Sequence, residues 1–443
     1  MGLWADRSEI RGKHLTVAKT AVVAVIVLTT LLPLAFVAPD EASARVNVYK
    51  YLAKTGAFVG AMLMIWQFLL GFRGLASELV PDLSWVTKVH AVLGQYGVPT
   101  VLLHPVFIGL YYAETRGQNI FALDLSEPFS VLVLLGMVML AVVAFVIVTS
   151  AFLRERLGFY PWLYTHLSTY LVPPFLFVHS FLLGPTVQGT GLRYYWWFFT
   201  ALVAALYVYR VAHKLGLTAA RYTVAGTRTV ADGTTEVTLD PQGRGLRPAP
   251  GQFVYLRRSL AENAHPYTVS GFEEESGALS VTVKEDGPQS AGLQEAQEED
   301  PIILDGPFGV FTRPAMATDL PTIMVAGGVG ITPFRRLWQR LEQERDREAH
   351  LFYGNEKRSE IIYEDELDSL EHVHVVHVLN DEPGFEGEQG IVDADLLRRH
   401  LPTELADYQF LLCGPPAMIH NLRSELAGAG VPPEQIREEL FAT

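Results

Sequence analysis

The chain alternates in kind along its length. Six long apolar runs lie at roughly 17–38, 52–72, 86–113, 129–153, 160–184 and 194–213. Each approaches or exceeds the ~20 residues that a helix needs to cross a hydrocarbon core. From about Leu217 the pattern changes to short alternating stretches separated by turn signals: "RYTVAGTRTV", "TTEVTLD", "GQFVYLRR". Period-two alternation of this kind predicts strands of a small antiparallel barrel. Farther on, "TIMVAGGVGITPF", "AHLFYGN", "VHVVHVLN" and "FLLCGPPAM" read as strands of a parallel sheet with helices between them. The expected architecture is multi-domain. A six-helix transmembrane bundle covers 1–216, an antiparallel β-barrel 217–315, and an α/β parallel-sheet domain 316–443.

Charge sharpens this division. Up to Lys214 there are 10 acidic and 15 basic residues, a net of +5, and beyond it 38 and 19, a net of −19, within a total of −14. The acidic balance argues against nucleic acid as a partner. The single cysteine, Cys413, excludes internal disulfides and a thiolate metal cage. Basic residues cluster before the first run (Arg7, Arg11, Lys13, Lys19), between the fourth and fifth (Arg154, Arg156) and after the sixth (Arg210, Lys214). The intervening "APDEASAR" and "AETRGQNIFALDLSEP" are mixed or acidic. The positive-inside rule then gives a multi-pass protein of the cell membrane with both termini in the cytoplasm. Cleavage of residues 1–44 as a signal peptide at "ASA" is the alternative, although the apolar run is long for an h-region.

Four histidines stand inside this apolar frame. His90 and His104 lie 14 residues apart on the third run, and His166 and His179 lie 13 apart on the fifth. At ~1.5 Å per residue these separations are about 21 and 20 Å. Both runs are expected to point the same way across the bilayer. His90 is then level with His166, and His104 with His179. Two facing rings at two depths are what two stacked bis-histidine haems require. Membrane histidines satisfied by backbone, or a proton relay, are the competing explanations. The phase is imperfect. Fourteen residues return almost to one face, whereas thirteen miss it by roughly 140° at ~3.6 residues per turn. Pro173 and Pro174 fall in that interval, where a kink or altered winding would restore the register. His14 and His213 fit no pair.

The soluble half carries further chemistry. In "HPYTVSG" (His265–Gly271) a tyrosine beside a hydroxyl residue on a strand suits the face and edge of a flavin, or is plain packing. "KEDGPQS" (Lys284–Ser290) offers a glycine turn and a hydroxyl that suit a pyrophosphate, or is a surface turn. In "TIMVAGGVGITPF" (Thr322–Phe334) a buried strand enters a glycine turn, with a helix expected near Thr332-Pro333. Glycines and a helix N-terminus suit a dinucleotide, but Pro333 replaces the third glycine of the G-x-G-x-x-G fingerprint. "FLLCGPPAM" repeats the plan, with Cys413 either at a nicotinamide ring or simply buried. Period-two alternation puts His372 and His374 on one face of a strand and His377 on the other, so they read as strand residues rather than a metal cluster. Lys357 and Arg358 in "EKRSE" would pair with a 2′-phosphate, or are solvated among Glu356 and Glu360.

On these residues the chain resembles the NADPH oxidase and ferric reductase family, most closely its compact bacterial NADPH oxidases, from the second run to the C-terminus. The H-x13-H and H-x12-H pairs resemble the family's haem ligands, and "HPYT" its flavin motif. "DGPFG" (Asp305–Gly309) resembles its barrel-closing turn, and "GGVGITP" and "CGPPAM" its nucleotide motifs. The resemblance implies two b-type haems on His90/His166 and His104/His179. It implies FAD against His265, Pro266, Tyr267 and Thr268, with its diphosphate near Lys284, Gly287 and Ser290. It implies NADPH, or NADH, on Gly327, Gly328, Gly330, Thr332 and Pro333. Nicotinamide would lie near Cys413, Gly414 and Pro415, and Phe441 would cover the flavin as the terminal aromatic. A flavin converts the two electrons of a hydride into the single electrons a haem accepts. The implied activity is electron transfer from cytoplasmic NADPH to extracytoplasmic oxygen, giving superoxide. Ferric iron, or a separate partner protein, is the alternative acceptor. No D-x-D-x-D-G calcium loop occurs, and no obligatory protein activator is evident. Lys50, Lys54 and Arg193 are candidate outer-face cations, or snorkelling residues. A six-span proton channel is the reading from another class, and it leaves the soluble half unexplained.

Overall fold

The computed structural model describes residues 12–40 and 43–440. It divides into two compact units, Thr16–Val211 and a second built mainly from Ala212 onward. Among the described residues, six helical spans are long and apolar enough to cross a membrane: Leu15–Phe36, Ala44–Leu70, Leu83–Arg116, Pro128–Leu157, Phe159–Leu183 and Leu192–Lys214. We number these spans one to six. Span two begins well before its apolar run because Ser43 caps it, accepting from the Val46 N–H. Asp82 caps span three through the Trp85 N–H at 3.0 Å. Gly117 ends that span at φ 64°, a conformation that favours glycine. Span two is the enclosed member, with over half of its apolar window buried (56%) against 11–22% for the others.

Span five is not one regular helix. Phe159–Leu167 is α-helical, Ser168–Leu171 is a 3₁₀ turn, and Val172–Leu183 is α-helical again. Pro173 and Pro174 have no N–H to give and crowd the preceding turn. The chain closes there with a tighter bond, Val172 N–H to Thr169 C=O.

The second unit opens with a closed six-stranded antiparallel barrel of order β1-β2-β5-β4-β3-β6. Its strands are β1 Ala220–Ala231, β2 Thr234–Pro241, β3 Phe253–Arg257, β4 His265–Phe272, β5 Leu279–Lys284 and β6 Pro301–Phe308. The alternation read from the sequence fills its core with Val224, Val237, Val254, Val269, Val281 and Leu304. A six-stranded sheet of order β10-β9-β8-β7-β11-β12 follows. Its strands are β7 Thr322–Gly327, β8 Ala349–Asn355, β9 Val373–Leu379, β10 Glu388–Gln389, β11 Gln409–Gly414 and β12 Ile436–Leu440, all paired in parallel. Met324 and Ala326 face one core, and Ile323 and Val325 the other. A parallel sheet is covered on both faces in this way.

Candidate functional site

In the membrane unit the site starts from two glycines one turn apart on span two. A Cβ on Gly56 would lie 2.3 Å from the backbone nitrogen of His104, and one on Gly60 would lie 2.9 Å from the backbone of Val101. This small-xxx-small face lets the backbones of spans two and three touch. The contact brings the histidines of span three against carbonyls of span two. His104 Nδ1 is 3.2 Å from Ala53 C=O, and His90 Nδ1 is 2.8 Å from Gln67 C=O. On the opposite side His179 Nδ1 is 2.9 Å from Leu132 C=O, where Gly136 leaves room for the imidazole. His166 Nδ1 is 3.4 Å from the Ser150 hydroxyl, which also accepts from Trp162 Nε1.

These partners decide the chemistry of the rings. A carbonyl only accepts, so Nδ1 of His90, His104 and His179 carries the proton. Nε2 is then left with its lone pair, the tautomer that binds metal. The rings meet in the two predicted pairs: His90 and His166 centroids are 6.1 Å apart, and His104 and His179 centroids 6.3 Å apart. Two imidazoles holding one metal from opposite sides at ~2.0–2.1 Å per bond would have centres about 6 Å apart. Among the described residues no group of three His, Cys, Asp or Glu side chains is placed to hold a metal ion. Each pair therefore supplies two donors, and a planar macrocycle would have to supply the rest. The donor set fits a haem.

The 3₁₀ turn accounts for the unequal spacing. Winding at ~3.0 residues per turn adds about 20° per residue over the α-helix, so four such residues cut the phase error from roughly 140° to about 60°. Rising ~2.0 Å per residue there, against ~1.5 Å elsewhere, the thirteen residues cover about 21.5 Å, beside about 21 Å for fourteen.

The predicted membrane-edge cations are engaged locally. Lys50 pairs with Asp40, which also accepts from the Tyr111 hydroxyl at 2.7 Å. Arg193 bonds the Tyr194 hydroxyl, and Lys54 lies over the ring of Phe58. His213 faces Asp305 of the barrel at 3.4 Å, outside either pair, and the His14 side chain lies outside the described residues.

In the second unit β4 lies between β3 and β5, with His265 opposite Leu256 and Thr268 opposite Phe253. Thr268 is buried, His265 and Tyr267 are half-buried, and Pro266 is exposed. Burial pushes the Tyr267 phenol up to about 12, so it remains a neutral hydrogen-bond donor at physiological pH. Burial likewise lowers His265. Lys284 closes β5 and lies 3.6 Å from Glu360. Gly287 adopts φ 125°, a value that favours glycine. Ser290 takes the Asp286 N–H at 2.8 Å and gives its proton to the Gly287 carbonyl. Its hydroxyl thus holds the turn together. Sequence reasoning missed Arg258, just after β3. It bonds Glu262 and the Gly292 carbonyl in the helix after that turn, and its Nε is buried without a partner. A buried unpartnered donor calls for an acceptor. The only sequence signal was a doubled arginine ending a strand.

The two glycine motifs meet at one edge of the parallel sheet. β7 and β11 are neighbours, Ala326 opposite Cys413. A Cβ on Gly330 would lie 2.3 Å from the Cys413 carbonyl oxygen, and one on Gly414 would lie 2.9 Å from the Gly327 nitrogen. The strand order turns outward on either side of β7, at the carboxyl ends where open α/β sheets bind ligands. Gly328–Phe334 forms a 3₁₀ turn, and the α-helix starts only at Arg335. That is three residues past Thr332, where the sequence suggested it, because Pro333 and the buried Thr332, bonded to Val329 C=O, belong to the turn. The turn packs directly on β4, so the flavin-motif strand and the nucleotide-motif turn are neighbours.

The remaining predicted residues are more dispersed. Lys357 and Arg358 follow β8 at this same edge, with Arg358 Nε 2.6 Å from Glu364. Gly414 and Pro415 line the turn, but the Cys413 side chain is fully buried in the core. Burial raises its thiol well above the ordinary range, so it stays protonated and packs. A thiol reagent should titrate no cysteine in the native protein and one after denaturation. Rapid native labelling would refute the buried assignment. Phe441 lies outside the described residues. The His374 ring lies 5.0 Å from that of His350 and the His377 ring 6.1 Å from that of Tyr353, tilted contacts between neighbouring strands β8 and β9.

Comparison with known proteins gives separate matches in the two halves of the chain. Residues 56–177 match a family described as ferric reductase like transmembrane component, and residues 324–424 match the oxidoreductase NAD-binding domain. The first range contains His90, His104 and His166. The chain is similar to NADH-cytochrome b5 reductase 1 of Lodderomyces elongisporus, 32% identical over 180 residues. It is 31% identical over 180 residues to the protein of that name from Arabidopsis thaliana. Those alignments cover 38% of this chain and 59% and 63% of the relatives, so the chain spans about three fifths of the relatives it matches. Among solved structures, a ferredoxin reductase in carbazole 1,9a-dioxygenase aligns at 23% identity and TM-score 0.46, covering 51% of this chain and 70% of that one. A flavohemoglobin from Malassezia yamatoensis aligns at 17% identity and TM-score 0.47, covering 90% and 99%.

Proposed function

We propose that this chain, which carries the NADPH oxidase and ferric reductase architecture of a ferric-reductase-like transmembrane component followed by an oxidoreductase NAD-binding domain, moves electrons from cytoplasmic NADPH across the membrane to oxygen. The observation that carries the proposal is the two facing histidine pairs, 6.1 and 6.3 Å between ring centres. When bound, FAD takes the hydride and releases electrons singly, and two b-type haems relay them. His90 with His166 would hold the first haem and His104 with His179 the second. Carbonyls of Gln67, Ala53 and Leu132 fix three of these rings by accepting hydrogen bonds from their Nδ1–H groups. Tyr267 and Thr268 would orient the flavin, with Arg258 Nε and the Gly287–Ser290 turn at its diphosphate. Gly327, Gly328, Gly330 and Gly414 would let the nucleotide approach the backbone of these two turns. Each NADPH oxidised would send two electrons to two oxygen molecules, leaving NADP⁺, two superoxide ions and one proton.

The test uses purified protein loaded with haem and FAD. NADPH added without oxygen should reduce the haem spectrum, and admitted oxygen should reoxidise it with stoichiometric superoxide. Absence of any haem spectrum would refute the histidine assignment. The name of the family matched by residues 56–177 favours ferric iron as a second acceptor. Prompt haem reduction with no oxygen uptake, but turnover on a ferric chelate, would establish that alternative. The cytochrome b5 reductases are named for NADH, which makes the nucleotide choice a separate test. Replacing Lys357 and Arg358 together by alanine should raise KM for NADPH about tenfold or more, the loss of charge-assisted bonds to a phosphate, and leave KM for NADH within about twofold. Equal effects would sink the 2′-phosphate assignment.

A further inference from the structure

The α-helix Arg335–Glu344 begins where the nucleotide turn ends, and its first two residues are arginines. Cations at a helix N-terminus oppose the macrodipole, so this placement needs another cause. Both arginines reach back to the barrel. Arg335 pairs with Glu236 of β2, and Arg336 donates to the Pro248 carbonyl at 2.8 Å and lies over the Phe272 ring.

Glu236 is nine-tenths buried and is held from three sides. Arg228 reaches it at 2.7 Å, and the Tyr363 hydroxyl donates to it at 3.2 Å. Arg335 also bonds Glu366 at 2.9 Å and lies 4.0 Å above the Tyr363 ring. Tyr363 meets the hydroxyl of Thr282, which lies 2.8 Å from that of Ser270 on the flavin-motif strand. A continuous polar chain thus runs Ser270, Thr282, Tyr363, Glu236, Arg335. It joins β4 to the first residue after Gly328–Phe334. Tyr363 is in the left-handed region, φ 63°, a conformation bulky residues adopt only when their surroundings hold them there. A buried charged group of this kind is weak evidence for stability; what its bonds do here is tie β2 to Tyr363 and to the first residue of the helix.

We propose that Glu236, Tyr363 and Arg335 are positioning residues that set the distance and angle between nicotinamide and flavin, by locking the nucleotide turn to strand β4. This rests on the proposed hydride transfer from NADPH to FAD. None of the three need touch either cofactor.

The experiment compares Glu236→Gln, Tyr363→Phe and the double variant in haem- and FAD-loaded protein mixed anaerobically with NADPH. Flavin reduction should slow about tenfold or more in Glu236→Gln and three- to tenfold in Tyr363→Phe. The double variant should be no slower than Glu236→Gln, since both break one network. The nucleotide dissociation constant and FAD content should stay within twofold. In the FAD-free protein, amide exchange should rise in β2 and in helix Arg335–Glu344. Tyr363→Phe keeps the ring under Arg335, so it provides the folded comparison if Glu236→Gln misfolds. Unchanged flavin reduction in the folded variants would overturn the proposal. So would slowing that merely follows FAD loss. A wild-type flavin that NADPH does not reduce would overturn the proposed function itself.

Discussion

On the proposed dihaem relay, replacing His104 by leucine is expected to leave protein with one haem instead of two, a flavin that NADPH still reduces, and superoxide production at background. Leucine is close in volume and suits the apolar surroundings of the ring, so the helix should remain. What is lost is one of the two imidazoles whose ring centres lie 6.3 Å apart. A single imidazole cannot replace a pair, and the remaining pair at 6.1 Å is about four turns of helix away. Haem extraction with pyridine gives the stoichiometry. Anaerobic NADPH titration separates the retained haem from the lost one. Two haems with undiminished superoxide production would remove His104 from the relay. Replacing His90 instead should also leave one haem, but that haem should no longer be reduced by NADPH.

The second large effect comes from a residue with no side chain. Alanine at Gly56 would set a methyl group 2.3 Å from the His104 backbone nitrogen and 2.9 Å from the Leu103 carbonyl carbon. Carbon contacts settle near ~3.5–4.0 Å, so spans two and three would have to part by more than ~1 Å. Neither neighbour is a flexible tip. The cost should sit at or above the upper end of the ~1–3 kcal/mol usual for overpacking. The bond from His104 Nδ1 to the Ala53 carbonyl, already 3.2 Å long, would break first. We expect Gly56→Ala to lose preferentially the haem of His104 and His179, with a lower melting temperature. Gly189→Ala, where an added Cβ meets nothing within 4 Å, is the matched control. Full haem content in Gly56→Ala would show that these helices can move apart freely.

The spans were legible because crossing a bilayer demands a length of apolar sequence that little else demands. The strands were legible wherever one face is buried and the other wet, as in β1 and β2. Pairing of the four histidines could be read from matched spacing on two runs. Their Nδ1 partners could not, because three are backbone carbonyls, of Gln67, Ala53 and Leu132, and every residue type has one. Gly56 and Gly60 did carry a signal, "GAFVG", a spacing that in a membrane run marks helix contact. Arg258 and Glu236 were hidden for another reason. Each is an ordinary charged residue in a strand-rich stretch, and only the closed barrel reveals that it is half or wholly enclosed. Cys413 shows the opposite failure. Chemically suggestive at a strand end, its thiol is fully buried in the core.

The 3₁₀ turn Ser168–Leu171 has a consequence for how such proteins are recognised. A residue deleted between two ligands is normally a fault of both length and phase. Here four residues of tighter winding make up the missing rise and most of the missing rotation. Thirteen and fourteen residues are two spellings of one distance, and a search that insists on a single spelling would divide relatives that share a geometry.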